Sequence, residues 1–118
     1  MVDRTQVADE YIPDRGDIAW FQFSPQAEHE QAGRRPALVV SAKRYNSKTG
    51  LALMCPITSK AKGYPFEVML PDEFPVSGVI LADQVKSLDW RMREAHFACE
   101  APARVVAEVL DKLEVLLS

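Results

Sequence analysis

The sequence predicts a mainly β protein: a small, strongly curled sheet or barrel of about five to seven short strands, with one amphipathic helix packed on it at the C-terminus. Three observations carry this expectation. The first 90 or so residues alternate short apolar runs with Pro, Gly, Asn and Ser clusters, the rhythm of strands and turns. After Pro102 the period changes, and Val105, Val106, Val109, Leu110, Leu113, Leu116 and Leu117 recur at helical spacing. A flat open sheet built from a chain of 118 residues would expose its edges, so curling is the economical solution.

Taken in order, residues 1 to 10 are polar and read as a loose tail, and residues 11 to 118 read as one domain, long enough to bury roughly two thirds of its unfolded surface. In "GDIAWFQF", Ile18, Trp20 and Gln22 alternate with Ala19, Phe21 and Phe23, which predicts a strand that stops at Ser24-Pro25. The polar loop "SPQAEHEQAGRRP" leads into "ALVVSA", a β-branched run expected to be a buried strand. "KRYNSKTG" carries the turn residues Asn46 and Gly50. "LALMCPIT" reads as a strand whose Pro56 suggests an edge or an end. "FEVML" follows, then a Pro-bracketed loop, then "VILADQVKSLDW" as two strand pieces around Asp83-Gln84. The terminal helix has Pro102 for its first turn and a Glu108–Lys112 pair worth about 0.3 kcal/mol. Its last residues, "LDKLEVLLS", end on an apolar face expected to be packed away.

The net charge of −3 argues against a nucleic-acid partner only as an average. Residues 1 to 30 and residues 63 to 118 each carry a net −5, whereas Arg34, Arg35, Lys43, Arg44, Lys48, Lys60 and Lys62 occupy a stretch with no acidic side chain, a local +7. Folding that gathers these cations on one face would focus a positive potential on an acidic protein. The N-terminus has no signal-like apolar run and no segment approaches a membrane span of ~20 apolar residues, so a cytoplasmic address without membrane association is expected. Cys55 and Cys99 are too few for a disulfide framework and lack metal-ligand spacing, and they read as buried reduced thiols. No metal site and no cofactor is expected.

The segment "HEQAGRRPALVVS" places a histidine, a carboxylate and two guanidiniums in one loop before a strand. His29 and His96 could pair as acid and base, although spacing alone does not bring them together, and His96 reads equally as a partly buried strand histidine. Glu30 and Arg35 could be a surface ion pair. They also suit phosphodiester cleavage, in which a base takes the proton of an RNA 2′-hydroxyl and a fixed cation stabilises charge on the phosphoryl oxygens. The nucleophile is tethered to the substrate, so such a reaction requires no metal. Thr58, with Ser59, would add hydroxyl and backbone donors, or else serve only as turn chemistry. Phe23, Tyr45 and Tyr64 are aromatic residues near the basic block, suited to stacking unpaired bases or to core packing. The serine-elbow, Walker and dinucleotide-loop motifs are all missing.

The order "YIPDRGDIAWFQFSP", "HEQAGRRPALVVS", "YNSKTG", "CPITSKAKGYPFEV" and "GVILADQVKSLDWRMR" resembles the MazF/PemK family of type II toxin endoribonucleases, closest to the MazF branch, over about residues 11 to 118. The resemblance implies an SH3-like barrel with a C-terminal helix, a homodimer, and metal-independent cleavage of single-stranded RNA at short sequences to a 2′,3′-cyclic phosphate and a 5′-hydroxyl. It implies catalytic roles for Glu30, Arg35 and Thr58, with Asp83 an alternative base, and RNA contacts near Phe23, Tyr45, Asn46, Lys62 and Lys86. It also implies a labile antitoxin whose acidic, flexible tail covers the RNA groove. Ala27-Glu28 and Ser59 depart from the family pattern at positions that shape the loop. The same barrel resembles a toxin that poisons DNA gyrase by protein binding and cuts nothing, which is the alternative function.

Overall fold

The computed structural model describes residues 10–23 and 33–118. His29, Glu30 and the tail of residues 1 to 9 lie outside them. Among the described residues, seven strands and two α-helices follow in the order β1 (Asp17–Gln22), β2 (Arg34–Val39), α1 (Lys43–Thr49), β3 (Leu51–Thr58), β4 (Glu67–Met69), β5 (Val79–Leu81), a 3-10 turn (Ala82–Gln84), β6 (Lys86–Asp89), β7 (His96–Glu100) and α2 (Ala103–Leu117). Every pairing is antiparallel, in the order β4-β5-β3-β2-β1-β7 with β6 also on β3. The sheet is therefore mainly β with a C-terminal helix, as expected, but its pairing path ends at β4 and β7 rather than closing.

β3 organises the sheet because one of its edges changes partner. Leu51 to Met54 pair with β6, and Ile57 and Thr58 pair with β5. Pro56, expected at an edge or an end, is buried inside the sheet opposite Ala37. It lies in the gap between the β6 and β5 ladders, where its missing N–H interrupts neither of them. The register of β1 on β7 slips between Ile18 and Ala19. Ile18 joins a core with Leu38, Cys55, Ile80, Val105 and Val109 under α2, and Ala19 joins a second core with Phe21, Val39, Met54 and Trp90.

"KRYNSKTG" forms α1 rather than a simple turn. Its residues have modest helix propensity, so the sequence signal favours a turn. The tertiary setting overrides this signal through Asn46, which is fully buried. The Asn46 side-chain amide donates to the carbonyls of Pro13 (2.8 Å) and Ser41 (3.1 Å), and its oxygen accepts the Ser41 hydroxyl at 2.6 Å. The Trp90 indole N–H donates to the Asn46 carbonyl at 2.9 Å. Gly50, at φ +77°, closes the helix in the left-handed conformation and donates its N–H to the same carbonyl.

α2 buries Val105 and Val109 and half-buries Val106, Leu110 and Leu113. The last turn corrects the expectation of a packed end, because Val115, Leu116 and Leu117 are exposed. The expected Glu108–Lys112 pair gives way to a longer reach: the Lys112 ammonium donates to the Pro65 carbonyl at 2.7 Å. No helix among the described residues is long and apolar enough to cross a membrane.

Candidate active site

Arg35 and Thr58 are 23 positions apart and meet because of the β2–β3 register. Ala37 pairs with Pro56, Leu38 with Cys55 and Val39 with Met54, and this ladder brings the start of β2 and the end of β3 to the same part of the sheet, where Arg35 and Thr58 share a cavity. Both residues line one open cavity of about 450 Å³, together with Trp20, Arg34, Lys60 and the Pro75–Ser77 loop. Its described lining holds Arg34, Arg35 and Lys60 and no carboxylate. The Thr58 hydroxyl oxygen accepts the Lys60 N–H at 3.1 Å, the turn geometry its sequence suggested. Its proton stays available to donate to an anionic oxygen. Both readings of Thr58 are thus compatible in one residue.

Gly78, next to Ser77 of the lining, packs against the backbone of Thr58. It has φ +122°, and a Cβ there would stand 2.2 Å from the Thr58 carbonyl oxygen. Only glycine allows this approach. The loop between β3 and β4 is held by the glutamate of "KGYPFEV": the N–H groups of Lys62 and Gly63 donate to the Glu67 carboxylate at 3.0 to 3.2 Å. Lys62 and Tyr64 are exposed on that loop, with the ammonium 6.0 Å from the ring centroid.

The residues expected to touch RNA separate into groups. Phe23 and Lys86 are brought together, the Lys86 ammonium lying 6.0 Å from the Phe23 ring centroid. Phe23 also donates its N–H to the Gly33 carbonyl, two residues before Arg35. Tyr45 is exposed on α1, where it lines a different hollow with Lys43, Arg44 and Lys48. That helix joins β2 to β3 at the end of the hairpin away from Thr58, so the two basic groups stand roughly 20 Å apart by strand rise. The +7 block is therefore divided, with three cations at the cavity and three on α1. Asn46 has no surface to offer a ligand, since its side chain is spent inside the protein. Asp83 is exposed on the 3-10 turn and is absent from the cavity's lining.

Sequence reasoning did not place Trp20, Arg34, Lys60 or Ser77 at this cavity. The acid-free run of cations that contains Arg34 and Lys60 was the available signal. Ser77 reaches the cavity only because β5 returns along β3. Cys55 is buried, and burial, with a smaller contribution from Asp83, pushes its thiol up to about 12, so it is no nucleophile. His96 is exposed on β7 opposite Trp20.

Residues 14–117 match a family described as PemK-like, MazF-like toxin of type II toxin-antitoxin system. The endoribonuclease toxin MazF of Escherichia coli is 54% identical over 85 residues, 72% of this chain and 76% of that protein. The endoribonuclease toxin ChpB of Escherichia coli is 38% identical over 109 residues, covering 88% and 93%. A crystal structure of MazE–MazF from Deinococcus radiodurans superposes with a TM-score of 0.83 at 54% identity, covering 92% of this chain and 98% of that one. With the antiparallel sheet, the terminal helix and a cationic cavity at the β2–β3 register, the chain belongs to the PemK-like, MazF-like toxins of type II toxin-antitoxin systems.

Proposed function

We propose that this protein is the toxin of a type II toxin-antitoxin pair and a sequence-specific endoribonuclease, cutting single-stranded RNA by attack of a 2′-hydroxyl on the adjacent phosphate. The observation that carries the site assignment is the convergence of Arg35 and Thr58 on one cavity with Arg34 and Lys60. Arg35 stabilises the charge that builds on the phosphoryl oxygens, and Thr58 donates its hydroxyl proton to one of them. Glu30, five positions before Arg35 in the sequence, takes the 2′ proton. As the 2′ oxygen bonds to phosphorus the bond from phosphorus to the 5′ oxygen breaks and Arg35 helps to protonate that leaving oxygen, so the products are a 2′,3′-cyclic phosphate and a 5′-hydroxyl, and the tethered nucleophile removes the need for a metal.

The partner is an antitoxin with an acidic, flexible tail, consistent with the MazE–MazF complex of the Deinococcus relative. Such a tail satisfies the same cations that would otherwise meet phosphate. We place the toxin in the cytoplasm, as a homodimer. The gyrase-poisoning alternative gains exposed apolar residues at the end of α2, yet it gives no role to the Arg35–Thr58 cavity.

The test is cleavage of a defined single-stranded RNA in the presence of a chelator. Arg35→Ala and Glu30→Ala should each slow it on the order of 100-fold or more. Variants that cut like the wild type would remove the assignment, and a protein that leaves RNA intact but traps gyrase on DNA would reverse the reading.

A further inference from the structure

A second hollow, about 480 Å³, adjoins the first and shares Trp20 and Arg34 with it, and its other described lining residues are Glu94 and His96. The strand register makes this one continuous face. Trp20 on β1 sits between Pro36 on β2 and His96 on β7, and Arg34 is two residues before Pro36 on the same side of β2. Trp20 is 37% exposed, enough to present part of its indole to a ligand. The Arg34 guanidinium is held by Glu94 alone among the described residues, donating to its carbonyl at 3.2 Å and lying 3.7 Å from its carboxylate. Glu94 itself has φ +53°, a left-handed conformation unusual for a residue with a side chain.

We propose that Trp20, Arg34, Glu94 and His96 form a nucleobase subsite for the RNA residue next to the scissile phosphate. The proposal rests on the reading of Arg35 and Thr58 as the phosphate's site. An unpaired base has a π-face for the Trp20 indole and edge groups of both kinds. Glu94 accepts from a base N–H, while Arg34 and His96 donate to base carbonyls or ring nitrogens. The carboxylate decides between a base and a phosphate here, since a second phosphate beside Glu94 would meet like charge. Continuity does the rest: the shared wall of Trp20 and Arg34 leaves no gap between the nucleotide being cut and its neighbour.

The experiment uses the purified full-length toxin and an RNA containing one mapped cut site. A series of otherwise identical RNAs carries a single abasic nucleotide at each position flanking the cut. For the wild type, one abasic position should lower kcat/KM about tenfold, mainly through KM, as expected for losing one stacked base. Trp20→Leu and His96→Ala should lose activity on the intact RNA and lose the sensitivity to that same abasic position. His96 is exposed, so His96→Ala tests the subsite even if Trp20→Leu fails to fold. Variants that keep the wild-type abasic profile at every position would overturn the proposal. So would variants with normal RNA kinetics and weakened binding of the antitoxin, which would assign this face to the peptide. Arg35→Ala runs alongside. If it cuts like the wild type, the cavity reading fails on its own, and the abasic profiles still judge the subsite.

Discussion

Gly78 lies against the end of β3 at φ +122°, and an alanine Cβ there would stand 2.2 Å from the Thr58 carbonyl oxygen and 2.9 Å from its carbon. Carbon and oxygen in van der Waals contact keep about 3.3 Å, so Gly78→Ala forces the backbone of Thr58 or Gly78 to move by about 1 Å. Two costs combine. The left-handed φ costs about 1 kcal/mol with a side chain present, and the forced displacement adds about 2 kcal/mol by analogy with overpacking. An unfolding entropy of about 2.1 cal/mol/K per residue over 118 residues makes 1 kcal/mol worth about 4 °C, so Tm should fall by about 12 °C. Gly50→Ala is the control, because Gly50 has φ +77° and nothing within 4 Å of the built Cβ. It should cost the strain alone, about 4 °C. At a temperature where both variants are folded, Gly78→Ala should also cut RNA on the order of 100-fold more slowly, because Thr58 is displaced by about 1 Å. Thermal unfolding by circular dichroism and single-turnover cleavage read the two effects. If Gly78→Ala matches Gly50→Ala in both, the claim that Gly78 sets the position of Thr58 is wrong.

Asn46→Ala should destabilise by about 2 to 4 kcal/mol, since it strands the Pro13 and Ser41 groups it satisfies. The kcat of the folded variant should be unchanged, and a large kcat loss without destabilisation would mean that Asn46 contacts RNA after all. Lys60→Ala should reduce the slope of log affinity against log salt by about 0.7 for a cleavage-resistant single strand, the value for one released phosphate contact. An unchanged slope would take Lys60 away from the RNA. The Cys55 thiol is raised from 9.0 to about 12 by burial first and Asp83 second. Alkylation at pH 8 should therefore modify Cys99 in the native protein and Cys55 only after unfolding. The sign for stability follows: the unfolded thiol ionises near 9.0 and the folded one near 12, so this group weakens the fold as pH rises through that window. Rapid native labelling of Cys55 would contradict its burial.

Elements governed by local physics were legible in the chain alone. The period change after Pro102 identified α2 and its buried positions Val105 and Val109, and alternation in "GDIAWFQF", the β-branched run "ALVVSA" and the apolar run "LALMCPIT" identified β1, β2 and β3, whereas β7 carried no such signal. Its charge pattern also singled out the block that supplies Arg34, Arg35 and Lys60 to the cavity. Which distant residues meet became visible only in the folded arrangement. No local signal brings Thr58 to the same cavity as Arg35, because strand register is a property of two segments jointly and shifts the facing set with every residue of slip. The same holds for Asn46, whose helix exists because Pro13 and Trp90 bond to it from distant parts of the chain, overriding a local preference for a turn. The end of α2 was misjudged for the converse reason: an apolar stripe is legible in one segment, but whether a surface lies beneath it depends on where the sheet stops.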